Sequence, residues 1–376
     1  MKAKTIDAVI TKKINDWLES IDDKVLVQRI KNDIIVTGGC ITSMLLNEPV
    51  NDFDIYFKTK ESLKMISEYY TQKFNKNNKG KENKLHKPLH AWVLDGEDVE
   101  SWKQDTIQLS SFAYNYPDIK YADVKDWVYI PASEIEDNEE AEDIKEKNRA
   151  YLQVSGMILN TTPDRVKVMV NSDGIAEDSD FVADRAEYSI DAYLDALGDG
   201  DSIPESEMEK TETEDKTKKY RPIFLSTNAI TLSNLIQIVV RFYGEVDKIH
   251  ENYDFVHATN YWTYSTGTVL NQKALECVLN KELHYIGSKY PICSLVRTRK
   301  FIKRGWQINA GQYVKIAFQI SKLDLENIYV LEDQLVGVDS IYFLNFIHNL
   351  KNQYLKNKDF VLTPDYLTTV IDKIFD

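Results

Sequence analysis

Two short runs in this sequence could do phosphate chemistry together: Gly38-Gly39-Cys40 and, after eleven intervening residues, Asp52-Phe53-Asp54. Paired glycines after a strand let backbone N–H groups approach phosphate oxygens, and a helix starting there adds the positive end of its dipole. Carboxylates two apart on a strand project to the same side. Asp52 and Asp54 so placed can share a pair of Mg2+ (or Mn2+) ions, one activating an incoming hydroxyl and one neutralising a leaving pyrophosphate. Transfer of a nucleotide from a nucleoside triphosphate needs both parts. A Gly-Gly turn or a DxD edge is common by itself. The informative feature is their order: strand, Gly-Gly, short helix, turn, DxD strand.

The flanking residues supply elements to hold these runs. Asp33 to Thr37 reads as a short buried strand, Ile41 to Leu46 as a short helix and Asn47 to Asn51 as a turn. In Asp52 to Phe57 the alternation puts Asp52, Asp54 and Tyr56 on one face and Phe53, Ile55 and Phe57 on the other. Upstream, the spacing of Ile6, Val9, Ile10, Ile14, Trp17, Leu18 and Ile21 predicts an amphipathic helix between Ile6 and Ile30. A second helix is expected from Glu61 to Phe74. Residues 76–218 read as a large insertion. It opens on a Lys- and Asn-rich loop, carries strand-like pieces at Thr106 to Ala113 and Val166 to Val170 and an acidic run from Glu134 to Glu146, and is expected to be partly disordered between Leu197 and Lys219. Strands resume at Ala229 to Leu232 and Ile236 to Val240, followed by a helical turn at Val246 to His250 and a short strand at Asp254 to Ala258. From Gln272 onward apolar residues recur at helical spacing.

Gly38-Gly39-Cys40 with Asp52-Phe53-Asp54 resembles the GG/GS…DxD signature of the polymerase-β-like nucleotidyltransferase superfamily. Two further segments resemble its poly(A) polymerase and tRNA CCA-adding branch. Asn252 to Ala258 is similar to that branch's RRDFTINA segment, keeping Asp254-Phe255, and Arg297 to Ile308 is similar to its neck helix, with Arg297, Lys300-Phe301 and Gly305-Trp306 as landmarks. Gly267 to Lys281 matches the branch in placement. The resemblance implies an α+β fold: a nucleotidyltransferase core of mixed sheet with flanking helices, interrupted by the acidic insertion and followed by an all-helical C-terminal domain. The corresponding boundaries are an N-terminal helix in 1–32, core in 33–75, insertion in 76–218, core again in 219–270, and helical neck and body in 271–376. It further implies catalytic roles for Asp52, Asp54 and Asp254, metal binding by Asp52 and Asp54, and nucleotide contacts from Gly38, Gly39, Cys40, Ser43, Arg297, Lys300 and Arg304. Asp254 is either a third metal carboxylate or a contact to the nucleotide sugar. The implied partners are a nucleoside triphosphate and an RNA 3′ end.

The sequence also departs from that branch. Ile41-Thr42-Ser43 stands where the tRNA-maturing enzymes carry Arg-Asp, Asn252-Tyr253 replaces the arginine pair, and Glu332-Asp333 lacks the arginine of an EDxxR base-reading motif. These departures disfavour CCA addition itself. They leave open toxin-type transfer to tRNA or protein hydroxyls and synthesis of a nucleotide signal. From another class, the chain could be a scaffold acting through its acidic insertion.

The net charge of −14 looks hostile to an anionic ligand, but its distribution is uneven. Between Asp173 and Asp215 sixteen acidic residues face two basic ones, so this one segment carries a charge equal to that of the whole chain, whereas Arg297, Arg299, Lys300, Lys303 and Arg304 cluster with no acid among them. Neither an apolar leader nor a membrane-length run is visible, so a cytoplasmic protein is expected. Cys40, Cys277 and Cys293 lack metal or disulfide spacing. His86 and His90 flank Pro88, which argues against a helical zinc pair. Tyr261, Trp262, Tyr264 and Trp306 could stack a base, although such residues are more often core. The Lys-, Asn- and Ile-rich text resembles that of phage-encoded chains.

Overall fold

The computed structural model describes residues 1–81, 91–97, 164–170, 175–176, 220–226 and 228–325, with positions 330, 331, 334, 363, 366, 368 and 369 beyond. Within them the protein is a mixed α+β structure. Helices α1 (Ala3–Glu19) and α2 (Lys24–Ile30) precede strand β1 (Ile34–Thr37), helix α3 (Gly39–Leu46), strand β2 (Phe53–Phe57) and helix α4 (Lys60–Asn77). Strands β3 (Ala91–Asp95), β4 (Val166–Val170), β5 (Ile175–Ala176), β6 (Pro222–Ser226), β7 (Ala229–Leu232) and β8 (Ile236–Tyr243) follow. The chain continues through α5 (Val246–His250), a 3-10 turn (Val256–Ala258), β9 (Tyr261–Thr263), β10 (Gly267–Val269), α6 (Gln272–Asn280), α7 (Pro291–Lys303) and α8 (Ala310–Ile320).

Eight strands form one sheet in the order β10-β9-β1-β2-β8-β7-β6-β5, with β2 and β8 parallel and the other pairs antiparallel. β3 and β4 form a separate antiparallel pair. The two faces of the large sheet have different fates. Ile34 and Val36 of β1, Phe53, Ile55 and Phe57 of β2, and Ile236, Ile238 and Val240 of β8 join the main core, which α1, α2 and α4 cover. Ile35, Tyr56 and Val239 point the other way and pack with Ile249 and Tyr253. The alternation expected in β2 is therefore the alternation observed.

The covering helices follow from their spacing. Ile6, Ile10, Ile14 and Trp17 make one buried stripe along α1. Trp17 Nε1 donates to the Tyr70 hydroxyl on α4 at 2.8 Å within the core. Asp7 holds α1 to the β9–β10 hairpin: its Oδ1 accepts from Trp262 Nε1 at 3.1 Å and from the Thr268 N–H at 2.9 Å.

The helix expected between Ile6 and Ile30 is two helices, because Ser20 Oγ bonds back to the Trp17 carbonyl and Asp23 caps a new start by accepting from the Val25 and Leu26 N–H groups. Asp254 to Ala258 is not a strand. Phe255 makes a single bridge to Tyr285, and Val256 to Ala258 winds into the 3-10 turn. The region after Gln272 is helical in α6 to α8, but the links between them carry isolated bridges, including Glu282 to Gln307. Val166 to Val170 is a strand as expected. Thr106 to Ala113, Glu134 to Glu146, Leu197 to Lys219, His86 and His90 lie outside the described residues. Among the described residues no helix is long and apolar enough to cross a membrane.

Candidate functional site

The site begins where β1 runs into α3. Thr37 ends β1 with its side chain on the sheet face away from the main core. Its Oγ1 donates to the Asn260 carbonyl at 2.9 Å and lies 2.9 Å from His250 Nε2. With the Thr37 proton so committed, His250 donates from Nε2. Burial, opposed only by the Asp247 charge, lowers the His250 pKa to about 4, so the ring is neutral at physiological pH. Gly38 follows with φ of 97°, and its N–H donates to the Ala258 carbonyl at 3.2 Å. A Cβ built on Gly38 would lie 2.9 Å from Asp54 Oδ2 and 3.5 Å from the Tyr253 hydroxyl. Glycine is thus required twice, by backbone conformation and by the close approach of a carboxylate. Gly39 is exposed, a Cβ built on it would meet nothing within 4 Å, and it starts α3, whose first N–H groups have no partner within the helix.

The two carboxylates sit beside this turn. Asp54 is opposite Thr37 in the β1–β2 register and opposite Gln237 in the β2–β8 register, while Asp52 lies just ahead of the strand; both are half-buried. Their field is felt by the buried groups around them. Burial first, then Asp54 and Asp52, pushes the Cys40 thiol well above its ordinary range, which removes it as a thiolate nucleophile. Burial and Asp54 likewise push Tyr56 up, and burial followed by Tyr56 and Asp54 does the same to Tyr253. The Tyr253 hydroxyl is enclosed beside the Tyr56 and Thr37 hydroxyls.

Asp52 and Asp54 are hard oxygen donors of the kind that Mg2+ or Mn2+ takes, usually one or two carboxylates completed by substrate phosphates and water. The donor set therefore fits. Among the described residues no group of three or more His, Cys, Asp or Glu side chains gathers closely enough to hold a metal ion. Asp254 does not gather with Asp52 and Asp54 into such a group. Instead its Oδ2 accepts from Arg297 Nη1 on α7 at 2.8 Å.

The basic residues of α7 divide. Arg297 is drawn to Asp254. Lys300 is half-buried with no ion-pair partner among the described residues. Arg304, at the end of α7, turns to the far end of α3: its guanidinium lies 3.4 Å from Ser43 Oγ and donates to Glu48 Oε2 at 2.5 Å. Lys281 reaches the other Glu48 oxygen at 3.3 Å. Burial by itself would raise Glu48, but Arg304 and Lys281 outweigh it and hold the carboxyl below the usual range. Gly38, Gly39, Cys40, Asp52 and Asp54 thus come together. Asp254 and Arg297 form an adjoining pair, and Ser43 and Arg304 meet one helical turn or more from the glycines.

Sequence reasoning missed Thr37, Tyr253, His250 and Glu48. A threonine at a strand end and a histidine at position 250 carry no local signal, since their contact spans 213 residues. Of the aromatic candidates, Trp262 and Trp306 are core, Tyr264 is half-buried and donates to Asn15, and Tyr261 is half-buried on β9 beside the His250 ring.

A protein-family model described as Gad2, Gabija anti-defense 2 family protein, matches residues 8–281, well over half of the chain and a span that contains the glycine turn, Asp52, Asp54 and Asp254. Neither a curated protein nor a solved structure matches it. The chain belongs to the Gad2 family.

Proposed function

We propose that this Gad2 chain is a Mg2+- or Mn2+-dependent nucleotidyltransferase of the polymerase-β-like kind, carrying a nucleotide from a triphosphate to a hydroxyl acceptor, an RNA 3′ end, with release of pyrophosphate. The observation that carries this reading is the approach of Asp54 Oδ2 to Gly38, 2.9 Å from where a Cβ would be. It brings a glycine turn and a carboxylate to one point, which supports a reading in which the turn receives phosphates and the carboxylate a metal ion. In this reading the backbone N–H groups at the start of α3 receive the phosphates. Asp52 and Asp54 hold the divalent ions, which when bound supply charge neutralisation at the phosphates and a lowered pKa for the attacking hydroxyl. Arg297 adds positive charge at the rim. Thr37, fixed by the Asn260 carbonyl and by neutral His250, keeps the end of β1 from shifting under the turn.

The family description favours a second acceptor. A protein named for anti-defence would act on a component of a defence system, which supports transfer to a protein or tRNA hydroxyl, the toxin-type reaction. One experiment separates the acceptors: incubation with each α-labelled triphosphate and Mg2+, with total RNA or with lysate of cells carrying the defence. Label in RNA supports the first acceptor and label in a protein the second. Equal inertness of wild type and Asp52→Ala with every acceptor removes the enzymatic reading.

A further inference from the structure

Asp254 is the one predicted catalytic carboxylate that does not gather with the others. Its side chain is 11% exposed against 44% for Arg297, so the pair is a nearly enclosed carboxylate holding a guanidinium that still reaches solvent. The segment around it is fixed on both sides. The Asp254 carbonyl accepts from the Ile286 N–H at 3.0 Å, and the preceding Tyr253 lies against Gly38. The chain on either side of Asp254 thus meets the glycine turn, before it through the Tyr253 hydroxyl and after it through the Ala258 carbonyl, which accepts from the Gly38 N–H at 3.2 Å.

We infer that Asp254 is a positioning residue and not a metal ligand, and that it orients Arg297 to contact the polyphosphate chain of the incoming nucleotide. The inference rests on the nucleotidyltransferase reading. A carboxylate already neutralised by arginine is a poor recruit for a metal, because its withdrawal would leave a charge-assisted hydrogen bond unmade. A planar guanidinium paired with a carboxylate keeps a defined orientation, and its fork geometry matches phosphate oxygens. The arrangement gives the enzyme a cationic contact at the site rim that does not depend on base identity. That suits a sequence without the EDxxR motif.

Calorimetric titration with inorganic tripolyphosphate at stepped Mg2+ concentrations tests this without a base, an acceptor or turnover. Arg297→Ala and Asp254→Asn should each weaken binding about tenfold, and the double variant should bind no more weakly than the worse single one. The Mg2+ concentration giving half-maximal binding should be unchanged in Asp254→Asn and raised in Asp54→Asn. Arg297→Lys, which keeps the charge but loses the fork, should recover only part of the affinity. Thermal melts restrict the comparison to folded variants; Asp254→Glu, which keeps the carboxylate, serves if Asp254→Asn does not fold, and should leave the Mg2+ midpoint unchanged. A raised Mg2+ midpoint in the Asp254 variant, or additive losses in the double variant, would overturn the inference while leaving the nucleotidyltransferase reading intact. Failure of the wild type to bind tripolyphosphate with Mg2+ would overturn both.

Discussion

Gly38 is the residue on which two independent requirements meet. A side chain there would have to adopt φ of 97° and would lie 2.9 Å from a carboxylate oxygen. Residues held in such regions cost about 1 to 3 kcal/mol, so Gly38→Ala should lower stability by that amount in urea melts and displace Asp54. Because ångström-scale misplacement at a reacting centre costs about 100-fold, transfer should fall at least that far. Gly39→Ala is the control, since its Cβ meets nothing within 4 Å and its φ is ordinary. That variant should melt like wild type, and equal destabilisation of the two would contradict the strain argument. Cys40 is the other informative residue. Its buried, electrostatically disfavoured thiolate makes Cys40→Ser compatible with transfer, whereas loss of all activity in a folded Cys40→Ser protein would restore a role for the sulfur.

At the scale of elements, the short connection between β1 and β2 was legible because its signals are local: a β-branched run, two glycines, an αL Asn47 closing α3, and strict alternation through β2. The same holds for α4, β7 and β8. The failures are contacts made at long range. Nothing local distinguishes Asp254-Phe255-Val256 from a strand, and the segment gives up pairing because Asp254 is drawn to Arg297 and Phe255 into the cluster with Tyr285 and Trp306. Strands β9 and β10 escaped notice for their brevity, three residues each, and depend on β1 and Asp7 for their place. The α1–α4 contact makes a testable point. Trp17→Phe removes the indole donor to Tyr70 within the core, and loss of a buried hydrogen bond should cost about 1 to 3 kcal/mol. Val25→Ala, at a position 75% exposed, should stay within about 0.5 kcal/mol of wild type. Denaturant melts of both distinguish packing from general sensitivity.

For the whole molecule, two neutral histidines couple stability to pH. His257 is 2% exposed among Phe255, Phe301 and Trp306, its Nδ1 has no partner, and burial lowers its pKa to about 4, as burial does for His250. The unfolded chain binds protons on these rings near the usual 6.5 and the folded chain does not. Their contribution is therefore complete above pH 6.5 and is lost progressively as pH falls toward 4, by up to about 3 kcal/mol for His257. His257→Phe should flatten the stability profile across that window without weakening the protein at pH 7, and an unchanged acid limb would contradict the assignment. Net charge acts at the same scale. The residues between Asp173 and Asp215 carry a charge equal to the chain's total, so the rest of the sequence is balanced, and Arg297 and Lys300 lie on α7 with Arg304 capping it.

Whether the Gly38 turn and the Asp52–Asp54 pair transfer a nucleotide is tested by following the two ends of the triphosphate separately. Wild-type protein with Mg2+ and the responsive acceptor should place α-phosphate label in a macromolecule while γ-phosphate label leaves entirely as pyrophosphate, and Asp54→Asn should do neither. Retention of the γ label on the acceptor, or undiminished transfer by Asp54→Asn, would contradict the account.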